Sequence, residues 1–260
     1  MTLRPGGILV AVLALAAHAF AGQWDPNTSH KMHYPQMPDP NGWDVAYKGA
    51  LADDWRCSAS GLVDDVHLWF SSEQDQPFEV GAVGISIFAD DRSDPNFSRP
   101  GERLWRNWIL DPDYFSVSEY GTGDQGWYDI YDHLMDPNAG VVEHDHLQIW
   151  QLDVTAIDEY CKTHVGYEDE AFWQDENTIY WLRANLNYIP GRQLGWKTSL
   201  DPFEGDAVWE DWQDPSTPVW YELLDPVTEE PLAMAFVITP EPVTLSLLAL
   251  GVLALLHRRR

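Results

Sequence analysis

Short runs of apolar and aromatic residues, separated by turn-forming clusters, recur along most of this chain. In many runs the apolar residues alternate with polar ones, which is the period of a half-buried β-strand. The clusters between them, such as DDRSDPN, DPNAG and DPFEGD, are rich in residues that favour turns. Several short strands with regular turns favour an all-β domain, a β-sandwich or jelly roll, over an α/β fold.

The alternation predicts ten strands and one helix, the latter around Ala156–Trp173. The run Val66-His-Leu-Trp-Phe is typical of a strand buried on both faces. No repeat of 20–50 residues is evident, which argues against a propeller or solenoid. The predicted strands are Val63–Phe70, Val83–Ala89, Arg103–Leu110, Trp127–Tyr131, Leu147–Thr155, Thr178–Asn187, Gln193–Thr198, Ala207–Trp212, Val219–Leu223 and Leu232–Ile238.

Acidic residues far outnumber basic ones, with 42 Asp and Glu against 15 Lys and Arg and a formal net charge of −27. Nucleic-acid binding requires basic patches that displace counterions, so this balance argues against it. Anionic lipid surfaces are disfavoured for the same reason. Binding of divalent cations, binding of neutral glycans, and simple solubility of an exported protein remain as interpretations of the charge.

The first residues have the three parts of a secretory signal peptide. Arg4 provides a basic start, an apolar run extends from Ile8 to Ala17, and Ala19-Phe20-Ala21 places small residues before a cut at Gly22. We therefore expect residues 1–21 to form a signal helix that signal peptidase removes. Residues 22–42, rich in Pro, Asn, Asp and Gly, are expected to be an irregular lead-in to one domain over residues 43–239.

The last residues combine Pro240-Glu241-Pro242, an apolar run from Val243 to Leu256, and the basic cluster Arg258-Arg259-Arg260. The run is shorter than the ~20 residues of a typical membrane span. Arginines in this position would remain on the cytoplasmic side and extend to the membrane interface. Residues 240–260 thus predict a hydrophobic helix that holds the chain in the inner membrane, with the domain outside the cytoplasm.

This tail resembles the PEP-CTERM sorting signal, which has the same three parts in the same order. The resemblance implies export by a Gram-negative bacterium, processing by an exosortase-type enzyme, and association with extracellular polysaccharide. The segments LADDWRC, GLVDDVHLW, RPGERLW, IYWLRA, LGWKTS and DAVWEDW also resemble an uncharacterised domain that recurs in PEP-CTERM proteins. That second resemblance covers about residues 43–239 and implies no activity.

Cys57 and Cys161 are the two cysteines of the chain. An exported protein passes through an oxidising compartment, so a disulfide between them is permitted. It would close a loop of about 100 residues, a stabilisation of up to ~4.7 kcal/mol by chain entropy. Two buried, unpaired thiols are the alternative, because sequence does not give the distance between the two residues.

Two segments carry candidate metal ligands. Asp90, Asp91 and Asp94 lie in one loop with oxygen ligands that suit calcium, although the EF-hand spacing is absent. In an extended strand, His144 and His146 would point to one face, a spacing that can hold zinc. No third zinc ligand is identifiable. Solvated turns and a polar strand edge are the alternatives for the two segments.

Fourteen tryptophans are the other unusual feature. Trp69, Trp150 and Trp181 lie in apolar runs and are expected in the core. Tryptophans near turns and among acids are the candidates for an exposed glycan platform: Trp209, Trp212 and Trp220. Glu210 and Asp211 lie between the first two, and paired carboxylates at a suitable separation can hydrolyse glycosides.

Three functions remain open. The first is a non-enzymatic cell-surface or extracellular-matrix protein, sorted by its tail and associated with polysaccharide. The second is a carbohydrate-binding module assisted by calcium. The third is a secreted glycoside hydrolase. The first is favoured, since the terminal signals require only export and sorting, and the chain contains no G-x-S-x-G, H-E-x-x-H or P-loop motif.

Overall fold

The computed structural model describes residues 24–27, 33–95, 97–188, 193–211 and 219–239, and at Tyr188 the backbone alone. Within these ranges the chain is mainly β, so the all-β prediction is confirmed. No helix in the same ranges is both long enough and apolar enough to span a membrane. The predicted signal helix and the predicted C-terminal helix lie outside the described residues.

The elements of the described ranges are short or medium-length strands, two one- to two-turn α-helices and two 3₁₀ turns. The helices are α1 (Ile130–Met135) and α2 (Ile157–Thr163), and the 3₁₀ turns are Glu73–Asp75 and Pro112–Tyr114. The strands are β1 (Trp43–Ala46), β2 (Ala50–Arg56), β3 (Gly61–Leu62), β4 (Asp65–Ser72), β5 (Val80–Asp91), β6 (Arg99–Ile109), β7 (Phe115–Tyr128), β8 (Val141–Val154), β9 (Trp173–Gln174), β10 (Ile179–Tyr188), β11 (Leu194–Ser199), β12 (Val208–Asp211), β13 (Val219–Glu222), β14 (Ala233–Met234) and β15 (Phe236–Thr239).

These strands form two large sheets and one small ribbon. The first large sheet has seven strands in the order β14-β11-β1-β7-β8-β4-β15, and β11 also pairs with β4. The pairings therefore close a circuit through β11, β1, β7, β8 and β4, in which β1 and β7 are parallel. The second large sheet is antiparallel, in the order β13-β12-β2-β10-β5-β6, and β3 pairs with β9.

The main hydrophobic core contains side chains from both large sheets. Leu68 and Trp196 come from the seven-stranded sheet, and Leu182 comes from the six-stranded sheet. Trp55 of β2 meets Phe236 of β15 edge to face, with ring centroids 6.4 Å apart. Because aromatic side chains bury large apolar areas, contacts of this kind contribute much of the stability of such a core.

Strand β4 is buried on both faces, as its sequence predicts. Leu68 and Phe70 enter the main core, whereas Trp69 packs on the opposite face with Ile149 and Val237. Trp24 of the lead-in covers this second cluster, with its ring centroid 5.7 Å from that of Trp69. The described part of the lead-in, although irregular, is thus docked against the domain.

Each predicted run overlaps an observed strand, but the prediction misses β1, β2, β3 and β9 and the polar first part of β7. The predicted helix over Ala156–Trp173 is too long, since α2 ends at Thr163. Val165 is fully exposed and Gly166 follows it, so the sequence offers no apolar face that would bury a further turn.

Candidate functional site

A cavity of about 520 Å³ opens on the outer face of the six-stranded sheet, the face that points away from the main core. Leu182 and Ala184 of β10 belong to the core, so Arg183 between them points outward. Arg99 and Arg103 of β6 join Arg183 in the lining, and we call the site the arginine cavity. Its volume lies in the range of ~300–1,000 Å³ that is usual for ligand sites.

Strand register brings these distant residues together. Arg183 pairs with Ser86 across β10 and β5, and Phe88 of β5 pairs with Arg103 of β6. Residues directly opposite in an antiparallel pair share a face, so all these side chains lie on the outer surface. The register of β5 and β6 shifts on both sides of Phe88, which places Asp91 opposite Arg99 near the cavity's end.

Two aromatic rings form the floor of the cavity. Phe88 and Trp220 meet edge to face, with ring centroids 6.4 Å apart. They are only 9% and 7% exposed, because they pack in a small apolar cluster with Trp181 and Val208. The floor is therefore rigid and apolar, while the walls carry the charged groups.

Two carboxylates face the three guanidinium groups of the cavity. Arg183 Nη1 lies 3.3 Å from Glu210 Oε2, and Arg99 Nε donates to Asp91 Oδ2 at 3.2 Å. Among the residues that the structure describes, no acidic side chain forms an ion pair with Arg103. Arg103 is thus the one guanidinium group of the cavity lining without an acidic partner in the described ranges.

Two of these groups have shifted pKa values. Desolvation lowers the pKa of Arg183, an effect that the Glu210 charge opposes and the nearby Arg103 charge strengthens. Arg183 Nε is buried and has no hydrogen-bond partner in the described part of the molecule. Hydrogen bonds from Ser93 and Arg99 lower the pKa of Asp91, which keeps this carboxylate ionised.

Residues 32–239 match a family described as a domain of unknown function, DUF7901. The chain belongs to the DUF7901 family. Neither the curated proteins nor the solved structures contain a match to it. The family carries no assigned activity, so the chemistry of this DUF7901 chain follows from its own residues.

The predicted tryptophan platform is not an exposed surface. Trp220 is buried in the cavity floor, which corrects the expectation that it lies open to solvent. Trp209 points to the opposite face of β12, where it stacks on Tyr221 at 5.0 Å and packs on the main core. Trp212 lies outside the described residues. Glu210, by contrast, does line the cavity.

The predicted calcium loop of this DUF7901 chain is neutralised by arginines. Arg92 Nε donates to Asp90 at 2.6 Å, and Arg99 Nη1 lies 3.9 Å from Asp94. Arg99 also holds Asp91, so guanidinium groups occupy the positions around all three carboxylates. In the described ranges no group of three or more His, Cys, Asp or Glu is arranged to hold a metal ion, which corrects the calcium expectation.

The two histidines of the predicted zinc pair do not share a site. His144 has a left-handed φ of 56°, which breaks the strand alternation, and its Nδ1 lies 2.7 Å from Asp124. His146 is buried, with its two ring nitrogens on Asp44 and Asp145 at 2.9 and 3.0 Å. Because both nitrogens of His146 are already engaged, the zinc expectation is corrected as well.

Both cysteines are buried and free, so the structure favours the unpaired alternative over a disulfide. Cys57 Sγ lies 2.7 Å from the Ala59 carbonyl oxygen, and Asn107 Nδ2 donates to Cys161 Sγ at 3.2 Å. Burial raises the pKa of both thiols, with hydrogen bonds opposing it. Thiols in such surroundings are poor nucleophiles.

A second cavity, of about 540 Å³, lies beside the 3₁₀ turn Glu73–Asp75. Phe78, Val80 and Trp150 make it largely apolar. The Asp75 carboxylate in its wall already accepts hydrogen bonds from the backbone of Leu147 and Gln148, each at 2.9 Å. This second cavity lacks the convergent charges that distinguish the arginine cavity.

The arginines of the cavity were not among the candidate site residues predicted from the sequence. One signal could have identified part of the site: the chain has only 15 Lys and Arg, yet Arg99, Arg103 and Arg106 fall within eight residues. Three arginines so close together are unexpected in a chain with so few basic residues, and they could have marked this segment as a candidate site. Nothing local connects these residues with Arg183, which only the strand register brings near.

Proposed function

We propose that this chain is an exported, non-enzymatic cell-surface or matrix protein that associates with extracellular polysaccharide through the arginine cavity. Signal peptidase would remove residues 1–21, and an exosortase-type enzyme of a Gram-negative bacterium would process the tail near Pro240-Glu241-Pro242. The basic cluster Arg258-Arg259-Arg260 would hold the tail in the inner membrane until then. The two large sheets would form a β-sandwich that displays the cavity.

The cavity is the observation that carries the binding part of the proposal. An apolar aromatic floor beneath walls of hydrogen-bonding groups suits a sugar, whose C–H faces are apolar and whose hydroxyls are polar. Arg183 and Glu210 offer donors and acceptors side by side, 3.3 Å apart. The outer face of a sheet also provides a rigid support for such groups.

The carboxylates of the cavity favour binding over hydrolysis. A glycosidase needs one carboxyl group with a raised pKa to act as the acid. Asp91 has a lowered pKa, and Arg183 compensates the charge of Glu210. Burial does raise the pKa of Asp54 to about 7, but Asp54 is fully buried and out of reach of a substrate.

The calcium-assisted alternative has less support, because arginines neutralise the candidate loop. Guanidinium groups and aromatic rings can hold a saccharide without a metal ion. The three arginines of the cavity would therefore make the polar contacts to the ligand, and no calcium ion is required.

The test is retention of the full chain, in a non-ionic detergent, on extracellular polysaccharide from the bacterium that produces it. Val219 lines the cavity and is 41% exposed, so Val219→Trp should fill the space without removing a charge. Val227→Trp, at an exposed turn position elsewhere, is the matched control. We expect retention by the wild type and Val227→Trp, and its loss in Val219→Trp.

Retention that survives Val219→Trp would assign binding to another surface, and no retention of the wild type would contradict the proposal. The same incubations should be assayed for new reducing ends. Release of reducing ends that Val219→Trp abolishes would replace the binding role with hydrolysis.

A further inference from the structure

Basic side chains are scarce in this protein, and most of those that the structure describes are already paired. In the described ranges the Lys and Arg residues other than Arg103 and Arg106 each form an ion pair with Asp or Glu. Arg106 lies 3.8 Å over the ring of Tyr167. With 42 acidic residues in the chain, an arginine without an acidic partner is unusual, and Arg103 lies in a cavity.

The arginine cavity has more hydrogen-bond donors than acceptors. Each guanidinium carries five N–H donors in a planar fork and no acceptor. Arg183 donates to Glu210 through Nη1, while its Nε is buried without a partner in the described part of the molecule. Arg99 uses Nε on Asp91 and Nη2 on Ser93. Unused donors remain on Arg183 and Arg103.

The guanidinium group of Arg103 points to an anionic ligand at this position. Arg99 is paired with Asp91 and Asp94 and Arg183 with Glu210, whereas Arg103 has no acidic partner in the described ranges. Arg103 and Arg183 also repel each other. An anion between them would remove that repulsion and accept from the unused donors, a charge-assisted and therefore strong contact.

We propose that the arginine cavity binds the carboxylate of an acidic sugar, a uronic-acid residue of a polysaccharide. This inference rests on the proposed function and names its ligand class. A carboxylate is planar and matches the guanidinium fork with two parallel hydrogen bonds. The sugar ring that bears it would lie over the apolar floor of Phe88 and Trp220.

The acidity of the whole chain makes this recognition local and selective. A net charge of −27 repels polyanions in general, so long-range attraction does not bring them to the surface. Dissolved salt screens that repulsion beyond roughly 8 Å at physiological ionic strength. At shorter distances a ligand therefore interacts mainly with the charges of the cavity itself. Nucleic acids need many phosphate contacts at once, which one arginine without an acidic partner does not supply.

The experiment measures binding of the full chain to three polymers: polygalacturonate, which carries carboxylates, dextran sulfate, and neutral dextran. All measurements contain a chelator, because calcium would bridge an acidic protein and an acidic polymer without a site. Arg103→Ala removes an exposed side chain that has no ion pair, so the fold is expected to be unaffected. Arg56→Ala is the matched control, since Arg56 is paired with Glu204 outside the cavity.

We expect the wild type to bind polygalacturonate, Arg103→Ala to weaken this binding at least about tenfold, and Arg56→Ala to leave it unchanged. Arg183→Lys keeps the charge but loses the fork, so it should also weaken binding. Equal binding to dextran sulfate would overturn carboxylate recognition. So would equal binding to neutral dextran, or insensitivity to Arg103→Ala.

The two proposals fail separately. If the wild type is retained on the producer's polysaccharide but shows no arginine-dependent binding to polygalacturonate, the uronate inference is wrong and the proposed function stands. If arginine-dependent binding to polygalacturonate occurs without retention on the producer's polysaccharide, the cavity chemistry is correct and the proposed function is wrong.

Discussion

The ammonium group of Lys197 lies 2.9 Å from the Asp44 carboxylate, and neither side chain is exposed to solvent. Lys197 also donates to the Gly42 carbonyl oxygen, and His146 Nε2 lies 2.9 Å from the same Asp44 oxygen. These residues belong to β11, β1 and β8, so the network joins three strands of the closed circuit. A buried charge is tolerated only with such partners.

Removing one partner of this pair should destabilise the domain strongly. We expect Lys197→Met to lower the free energy of unfolding by about 3–5 kcal/mol, because Asp44 would keep a buried charge without its cation. Urea denaturation at pH 7 measures the change. Arg56→Met is the matched control: its pair with Glu204 is partly exposed to solvent, and we expect a loss of at most about 1 kcal/mol. Equal losses in both variants would refute a special role for the buried pair.

Asp54 should make the protein less stable as the pH rises. Burial raises its pKa from 3.8 to about 7 in the folded state. Between these values the unfolded state releases a proton that the folded state retains, so stability falls across the window. Asp54→Asn keeps the hydrogen bond that Oδ1 accepts from Gly205 and removes the titration.

At pH 8 we expect the free energy of unfolding of Asp54→Asn to be higher than that of the wild type by an amount on the order of a few kcal/mol. Near pH 4 the two proteins should have the same free energy of unfolding. Urea midpoints at pH 4, 6 and 8 provide the comparison. Asp91→Asn is the contrasting variant, since hydrogen bonds from Ser93 and Arg99 lower the pKa of Asp91 and its replacement should not raise stability at pH 8. A pH-independent difference for Asp54→Asn would contradict the prediction.

His33 should act in the opposite direction, at acidic pH. Burial lowers its pKa from 6.5 to about 3, and its Nε2 accepts the backbone N–H of Ile238. The unfolded state binds a proton between these values and the folded state does not, so stability falls as the pH decreases from 6.5 towards 3. His33→Gln should therefore reduce the slope of stability against pH in this window.

The exposed His144 is the comparison for His33. The Asp124 carboxylate raises the pKa of His144, so any contribution it makes is present below pH 6.5 and is lost as the pH rises through the folded value. His144→Gln should thus change the slope only above pH 6.5, with the opposite sign and a much smaller amplitude. The His33 prediction fails if His33→Gln leaves the slope between pH 4 and 6.5 unchanged.

The positions of most strands could be predicted, because alternation records which face is buried. The prediction from alternation missed strand β2, where Asp53 and Asp54 are fully buried. Two adjacent acids in a sequence normally indicate a turn, and their burial depends on partners far along the chain. Asp53 accepts from Met234, which only the tertiary fold brings near. Short strands such as β1 also carry too few residues for a periodic signal.

The arginine cavity could be predicted only in part. Glu210 belonged to the cluster chosen from the sequence, whereas Arg103 and Arg183 are brought together by the pairing of β10, β5 and β6. That register includes irregularities beside Phe88 that no local pattern encodes. Trp220 was expected on the surface because acids and turns surround it in the sequence, but the Phe88 ring packs against it.

The two thiols offer a direct check of the fold. Cys57 and Cys161 are free and no more than 2% exposed, and burial raises the pKa of each thiol, which reduces the thiolate that reacts. In the native protein a thiol reagent such as DTNB should react with both cysteines at least about tenfold more slowly than with a free thiol. In denaturant without reductant, two thiols per chain should react at once. Finding none in denaturant would mean that the protein contains the disulfide, and the packing around Cys57 and Cys161 would then have to differ from the structure.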